Sequence, residues 1–481
     1  MTEEVHKREH PRKRSIARYN STGHIPNLRE FHAFPGESPT FRSPILSQET
    51  IDLVISKEEA EKDCSTKLLL AVFRSKDPKQ IEITCRKLTS VLTQYDHFFE
   101  KIVSSEDLIS SIVEIPSIIN SEKFATSYFS FLLSLLHNEN PVLIDAGIIF
   151  NVRELMETYP QALFSFYTEI PSISVYARNA MVCGGIISDV VEFAKKQEQH
   201  CVECAHVLYS IFKCPEPVSS DDLEVMLPEI TSLLFSLKNE DAVYYVVHAI
   251  VVFININLVT ALFDLNVHKF IADSLSIPRL TRVCVCLTGN MAVCDTSEIQ
   301  LFIQVGVIQK LLEIAFQDCA AAADSYWALS NCLESAPKLM IPEIPLSFLT
   351  QTLERLRDVN INENVRKDAV YFFATLMLYS PQLKFHIVVS KEILTNVIHM
   401  LHHHSQVPKN VLIRYIDSIG RVLFVGLTNE KMRYIIQLII ESNELVEILH
   451  VLAQDKSKVI GNKAKTLICE IDVKKKELSG L

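Results

Sequence analysis

The sequence is poor in the residues that interrupt regular backbone structure. Its 481 positions include only 11 glycines and 19 prolines, and no stretch sustains an alternation of apolar and polar residues. A β-sandwich, a β-barrel or a doubly wound sheet would therefore lack the turns that it needs. These scarcities argue against all three classes and predict an all-α protein.

Long apolar runs are also absent. None approaches the roughly 18 uninterrupted residues of a membrane span, and the N-terminal residues MTEEVHKR lack the apolar core of a signal peptide. Hydrophobic residues nevertheless make up 48% of the chain and charged residues 22%, which is ample for a large core. We expect a soluble, intracellular protein that is not inserted in a membrane.

Basic residues are in the minority. The chain has 47 Lys and Arg against 58 Asp and Glu, a net charge of −11. Proteins that bind nucleic acid without sequence preference neutralise phosphates with Lys and Arg, so this balance argues against direct nucleic-acid binding. An acidic surface favours a basic partner instead.

The cysteines do not form a disulfide or metal framework. The chain has 12 of them, and they fall singly inside apolar helical segments, as at Cys284, Cys286, Cys319 and Cys332. In a reducing compartment such thiols behave as small hydrophobic side chains. We expect these cysteines to be buried in the core.

Only one segment has the spacing of metal ligands. Cys201, Cys204 and His206 are close in sequence, but a zinc site needs a second ligand pair, and only the isolated Cys183 and Cys214 lie nearby. We therefore expect no metal site here.

The run His402-His403-His404 is interpreted as the polar end of a helix before Pro408, not as a ligand cluster. No glycine-rich phosphate loop and no nucleophile with a neighbouring base occur in the sequence. We expect a protein that is not an enzyme and that binds no cofactor.

The N-terminus differs in composition from the rest. Residues 1–50 are polar and proline-rich, which predicts a disordered tail. This tail contains a basic cluster that is compatible with a nuclear localisation patch and equally with a solvated charged end. The cluster consists of Lys7, Arg8, Arg12, Lys13, Arg14 and Arg18.

From about Ile51 the sequence repeats itself. Short turns restart an aliphatic helix at residues 144–148, 182–186, 305–308 and 389–393. The helices before these turns align as i, i+4 pairs, with steps of 38 to 44 residues between successive pairs. This period is typical of armadillo or HEAT repeats, so we assign a solenoid to residues 51–473 and a short polar tail to 474–481. The pairs are Phe164/Thr168, His206/Ser210, His248/Val252, Cys286/Asn290, Trp327/Asn331 and Tyr371/Thr375.

The pair Trp327/Asn331 has the chemistry of a peptide-binding site. Trp327 is the only tryptophan, and residues four apart lie on one face of a helix. An amide can bond a peptide backbone, while an indole packs the stem of a Lys or Arg and attracts its charge. The alternative is an aromatic residue buried in the core.

Several segments carry a family resemblance. Leu287-Thr288-Gly289-Asn290, Val305-Gly306-Val307-Ile308 and Trp327-Ala328-Leu329-Ser330-Asn331 occur in the order and spacing of importin-alpha, the armadillo-repeat adaptor for nuclear-localisation-signal cargo. The resemblance implies a right-handed superhelical solenoid whose groove binds basic signals through tryptophan–asparagine pairs. It also implies importin-beta and a recycling exportin as partners, and a location in cytoplasm and nucleus.

The pairs depart from the family pattern. Only Trp327/Asn331 is intact; Asn290 keeps the amide, and Tyr371 keeps an aromatic ring beside Thr375. The other positions have become Phe164/Thr168, His206/Ser210 and His248/Val252. Because lost amides and rings weaken peptide binding by about 0.5–3 kcal/mol each, we expect binding to be concentrated around Asn290, Trp327, Asn331 and Tyr371.

Two functions remain open. The first is a divergent nuclear import adaptor, and the second is an armadillo-type scaffold that has lost classical cargo binding. His206 and His248 could stack on a guanidinium when neutral and repel it when protonated, which predicts pH-sensitive binding between pH 5.5 and 8. The basic tail is shorter than the family's importin-beta-binding segment and contains Pro11, yet it could fold back as an autoinhibitor.

Overall fold

The computed structural model describes residues 55–95, 97–136, 141–317, 320–358, 360–381, 388–426 and 430–479. Within these ranges the regular structure is helical and no strand occurs. The predicted all-α class is confirmed. The predicted tail, including Lys7, Arg8 and the rest of its basic cluster, lies outside the described residues.

The described residues divide into two compact units, an N-terminal unit that extends to Ile314 and a C-terminal unit that begins at Ala322 and includes residues 315–317. The helices up to Ile314 are α1 Lys57–Asp63, α2 Thr66–Ser75, α3 Pro78–Gln94, α4 His97–Val103, α5 Glu106–Val113, α6 Glu122–Leu136, α7 Val142–Asp145, α8 Ile148–Val152, α9 Pro160–Ile173, α10 Val175–Cys183, α11 Ile186–Lys196, α12 Cys201–Lys213, α13 Ser220–Ser236, α14 Glu240–Phe253, α15 Val259–Asp264, α16 Val267–Ser274, α17 Pro278–Met291, α18 Thr296–Gln304 and α19 Val307–Ile314. The later helices are α20 Ala321–Ser335, α21 Pro337–Glu343, α22 Leu346–Arg357, α23 Glu363–Tyr379, α24 Lys391–His402, α25 Lys409–Val425, α26 Glu430–Glu441, α27 Asn443–Leu452 and α28 Lys458–Ser479.

A ladder of long helices forms the N-terminal unit. Helices α3, α6, α9, α12, α14 and α17 pack each against the next, and their first residues are 38 to 44 positions apart. A second layer forms where α11 packs on α13, α13 on α16 and α16 on α19. Since each repeat contributes to both layers, neighbours bury apolar faces that one repeat could not bury alone. The predicted repeat period is confirmed.

The C-terminal unit has the same construction. Helix α23 packs on α25 and α25 on α28, while α22 packs on α24 and α24 on α27 in the other layer. Helix α20 joins the first layer through Tyr326, whose ring lies 6.1 Å from that of Phe372 on α23. The final helix extends to Ser479, so the proposed boundary at residue 473 does not coincide with a helix end.

The turn between the first two helices of a repeat depends on a left-handed backbone. Gly147, Gly185 and Gly306 have φ of 85°, 77° and 81°, a region that glycine adopts without steric cost. Asn266 takes the equivalent position before α16 with φ 62°; asparagine tolerates this conformation better than most residues. The predicted turn at 389–393 differs, because Ser390 is extended and caps α24 with its side chain.

In the described part of the chain, no helix has both the length and the apolarity needed to cross a bilayer.

Candidate functional site

All six sequence-aligned pairs lie on the long helices of the first layer. Phe164/Thr168 is on α9, His206/Ser210 on α12, His248/Val252 on α14, Cys286/Asn290 on α17, Trp327/Asn331 on α20 and Tyr371/Thr375 on α23. Within each unit, successive pairs therefore lie on successive first-layer helices, about one repeat apart in the sequence. Their exposure and partners differ from helix to helix.

Trp327 and Asn331 are buried in this structure. Trp327 is 0% exposed and Asn331 is 3% exposed. Residues 325–333 of helix α20 are all buried, so burial of Trp327 agrees with the alternative of an aromatic core residue. A peptide could reach the indole and amide only after the atoms that cover them move away.

The neighbouring residue fixes the rotation of α20. The Tyr326 hydroxyl lies 3.2 Å from Thr352 Oγ1 on α22, and its ring lies 5.9 Å from Phe348. Because residues at i, i+4 and i+7 share a face, Glu334 lies on the same side of α20 as Trp327 and Asn331. This face thus combines an indole, an amide and a carboxylate.

An arginine of the same chain occupies the space beside Tyr371. Arg414 on α25 has a side chain that is 3% exposed, and its Nη2 donates to Glu334 Oε2 at 2.5 Å. Its guanidinium carbon is 5.6 Å from the ring centroid of Tyr371 and 5.9 Å from that of Tyr379. We call Glu334, Tyr371, Tyr379 and Arg414 the arginine cluster. Its aromatic and acidic groups could bind a basic side chain of a ligand, and Arg414 already occupies them.

Burial is the main electrostatic influence on the cluster. It raises the pKa of Tyr379 above its usual range, and the nearby Glu334 carboxylate acts in the same direction. Both tyrosines of α23 lie on one helix face, since they are eight residues apart. The Tyr379 phenol is therefore neutral at physiological pH, and both rings offer a π-face to a cation.

The hydroxyl residues at the amide positions are not equivalent to asparagine. Thr375 is 0% exposed and its Oγ1 donates to the Tyr371 carbonyl at 2.9 Å within the same helix. The Thr168 hydroxyl is buried with no hydrogen-bond partner among the described residues. Ser210 is half-buried. Neither threonine offers a peptide the paired donor and acceptor of an amide.

Phe164 lies in the core. It is 0% exposed, and its ring packs edge-on against Phe193 of α11 at 5.2 Å. The aromatic side chain therefore joins the two layers of the N-terminal unit. Its proposed part in peptide binding stays a prediction.

The histidine positions belong to an aromatic cluster between α12 and α14. The His206 ring lies 4.6 Å from that of Tyr245, and Tyr209 stacks 4.4 Å from His248, which in turn is 5.7 Å from Tyr244. Asn290, on α17 of the same unit, is 1% exposed. Rings of adjacent helices thus pack mainly on one another.

The expected titration of His206 is wrong for the interval from pH 5.5 to 8. Burial, helped by the positive charge of Lys213, lowers the pKa of His206 to about 4. The imidazole is therefore neutral throughout that interval. Desolvation was not visible in the sequence, because it arises from the packing of α14 on α12.

A second arginine covers a ladder tyrosine in the N-terminal unit. The guanidinium carbon of Arg279 on α17 lies 4.9 Å from the Tyr244 ring centroid, and its Nε donates to Asp241 at 2.7 Å. Here the arginine side chain is 26% exposed and the aspartate 48%. Sequence reasoning missed both arginines, since the partners are separated by a whole repeat.

The metal candidates do not converge. Among the described residues no group of three or more His, Cys, Asp or Glu side chains could hold a metal ion. Cys201 and Cys204 are buried, and desolvation raises the pKa of both thiols. In the histidine run, His402 Nε2 lies 3.1 Å from Glu444, and His403 Nδ1 lies 3.0 Å from the His399 carbonyl.

The thiols of the apolar helices are buried as predicted. Cys284 and Cys332 are 0% exposed and Cys286 is 2% exposed, and desolvation raises the pKa of Cys332 to about 12. Cys319 lies outside the described residues. These cysteines pack as small apolar side chains.

No family model and no curated protein matches the chain. Among solved structures, it is similar to an engineered protein at 14% identity and a TM-score of 0.63, over 85% of this chain and 99% of that one. Weaker likenesses include a designed armadillo repeat protein in complex with the peptide (KR)4, at 16% identity, a TM-score of 0.39 and coverage of 51% of this chain and 99% of that one. Another designed armadillo repeat protein has 14% identity, a TM-score of 0.36 and coverage of 55% and 98%. The helical ladders, together with the similarity at a TM-score of 0.63, establish an all-α solenoid of helical repeats.

Proposed function

We propose that the protein is an adaptor that binds an extended basic segment of a partner protein, in the manner of importin-alpha. The face of α20 that combines Trp327, Asn331 and Glu334 carries this proposal. An amide can pair with a peptide backbone, and an indole can pack the stem of a Lys or Arg and attract its charge. The proposal includes transfer to importin-beta, recycling by an exportin and action in cytoplasm and nucleus, and it assigns no catalytic step.

The affinity of this site for a peptide depends on the free energy needed to expose Trp327 and Asn331. One backbone contact of an amide and one cation–π contact contribute about 1–3 and about 0.5–2 kcal/mol respectively. Trp327 is 0% exposed, so the free energy of opening subtracts from these contributions and raises the apparent Kd. We therefore expect micromolar affinity for basic peptides.

The basic cluster of the tail supplies a competitor of the right charge. Lys7 to Arg18 lies outside the described residues, but a tethered segment has a high effective concentration even when its own affinity is low. Deleting residues 1–50 should then tighten peptide binding. Equal affinity with and without the tail would contradict autoinhibition.

The decisive experiment is a titration of a fluorescent basic localisation peptide against the full chain, at low and at physiological salt. Asn331→Ala should weaken binding about tenfold or more, since it removes the amide. Ser330→Ala is the matched control, because Ser330 is also buried on α20 but its hydroxyl donates within the helix to the Tyr326 carbonyl at 2.8 Å. No binding, or equal loss in both variants, would refute the proposal.

A second candidate is a repeat scaffold that has lost classical cargo binding. Thr168 and Thr375 at amide positions, with Arg414 beside Tyr371, favour it. In that case the folded protein would not bind basic peptides at either salt concentration. A partner of different chemistry would then have to be sought.

A further inference from the structure

The arginine cluster joins three helices of the first layer in the C-terminal unit. Glu334 is on α20, Tyr371 and Tyr379 are on α23, and Arg414 is on α25. Arg414 extends past α23 to reach a carboxylate 80 positions earlier in the chain. Its side chain thus lies along the face on which the aligned pairs are placed.

The surroundings of Arg414 are those that a ligand's arginine would require. Tyr371 and Tyr379 present rings within 6 Å of the guanidinium carbon, at 5.6 Å and 5.9 Å, and Glu334 supplies an anion at 2.5 Å. An aromatic face and a carboxylate together form a general receptor for a guanidinium. In this protein the receptor is filled from within.

The arrangement is not what stability alone would select. A buried charge needs a full set of partners to offset its desolvation. Arg414 Nη2 has Glu334, whereas Nε and Nη1 are buried with no hydrogen-bond acceptor in the described part of the chain. An apolar side chain would fill this space without leaving donors unsatisfied. The charge of Arg414 is therefore better explained by a function than by stability.

The N-terminal unit repeats the device in a more open form. Arg279 on α17 covers Tyr244 on α14 and pairs with Asp241. In each unit, then, an arginine of one ladder helix covers a tyrosine of the helix before it and pairs with an acidic residue. The C-terminal example is the buried one, because its side chain is 3% exposed against 26% for Arg279.

We propose that Arg414 is a built-in occupant of a guanidinium site formed by Tyr371, Tyr379 and Glu334, and that it keeps basic side chains of a ligand out of this part of the ladder. The inference rests on the proposed binding of basic peptides. It makes Arg414 a determinant of specificity: a bound segment has its basic residue beside Trp327, and a neutral residue where it passes α23.

The test compares full-length variants by fluorescence anisotropy with an arginine-rich peptide. Arg414→Met keeps the aliphatic stem and removes the charge, and should tighten binding about three- to thirtyfold, the range expected for one new cation–π contact. Arg414→Lys should retain wild-type affinity, since its ammonium still fills the site. Arg421→Met changes net charge equally on the same helix but removes a cation that lies over Phe424, and should leave affinity within about twofold of wild type.

Unchanged affinity in Arg414→Met, or equal tightening in Arg421→Met, would overturn the inference. Circular dichroism shows whether each variant is folded, and Arg414→Gln serves as the second variant if methionine prevents folding. The series is repeated with Asn331→Ala. Tightening by Arg414→Met without any effect of Asn331→Ala would support the guanidinium site and refute the proposed part of the α20 face in peptide binding. Weakening by Asn331→Ala without any effect of Arg414→Met would refute only the inference.

Discussion

Replacing Gly185 with alanine should destabilise the N-terminal unit by about 1 kcal/mol, through the backbone alone. Gly185 has φ 77° and ψ 14°, and a Cβ added there would meet nothing within 4 Å. The left-handed conformation costs an L-residue roughly 1–2 kcal/mol. The reduced entropy of the unfolded chain offsets roughly 0.4–1 kcal/mol of this, which leaves the net figure of about 1 kcal/mol.

The same prediction applies to two further turns. Gly147 and Gly306 have φ of 85° and 81°, also with open space around an added Cβ. Gly147→Ala and Gly306→Ala should therefore have effects close to that of Gly185→Ala. A local clash would instead make the three costs differ, because the surroundings of the turns are different.

Urea unfolding followed by far-UV circular dichroism measures these effects. Gly420→Ala is the matched control: Gly420 is inside helix α25, and the nearest atom to an added Cβ is Glu470 Oε2 at 3.3 Å, the end of a flexible side chain. Alanine in a helix is favoured by up to about 1 kcal/mol, so this variant should be neutral or more stable. Trp327 is in the C-terminal unit, and its fluorescence separates that transition from the total.

The reasoning would be refuted by three glycine variants that are as stable as the wild type. It would also fail if Gly420→Ala lost as much stability as they do, since φ would then not be the cause.

Two further predictions concern titration and thiol reactivity. Above its ordinary pKa of 6.5, His206 is neutral in both the folded and the unfolded chain. Because burial lowers the pKa of folded His206 to about 4, the unfolded chain takes up the proton first as the pH falls. The free energy of unfolding should therefore drop by up to about 3 kcal/mol between pH 6.5 and 4. His206→Phe should flatten this slope in urea titrations at pH 7.5 and 5, and an unaltered slope would contradict the assignment. A maleimide should label the exposed Cys183 quickly at pH 7.5 and Cys332 only on unfolding, because Cys332 is 0% exposed with a pKa of about 12; peptide mass spectrometry distinguishes the two, and early labelling of Cys332 would contradict its burial.

The sequence predicts the repeats well because their signals are local. Apolar spacing within one helix and a turn such as Val182-Cys183-Gly184-Gly185-Ile186 depend on neighbours in the chain. The structure places the long helices and three of the four expected turns at those positions. The sequence analysis does not predict the turn at Asn266, because asparagine there adopts the left-handed backbone conformation without the glycine that marks the other turns.

The properties of the candidate site are less accessible to sequence analysis. The spacing puts Trp327 and Asn331 on one face, but whether that face is covered depends on packing between helices. Arg414 and Glu334 are 80 positions apart, so no local pattern relates them. The low pKa of His206 comes from desolvation by α14, which a sequence does not display.

The bond between Arg414 and Glu334 has a consequence for how the C-terminal unit unfolds. In repeat proteins each repeat normally contacts only its immediate neighbours, so the ends of the array can fray one repeat at a time. Here α25 is tied to α20 as well as to the adjacent α23. Opening any one of these helices breaks contacts of the other two, so the three helices should unfold together. This cooperativity limits how far fraying from the C-terminus can proceed.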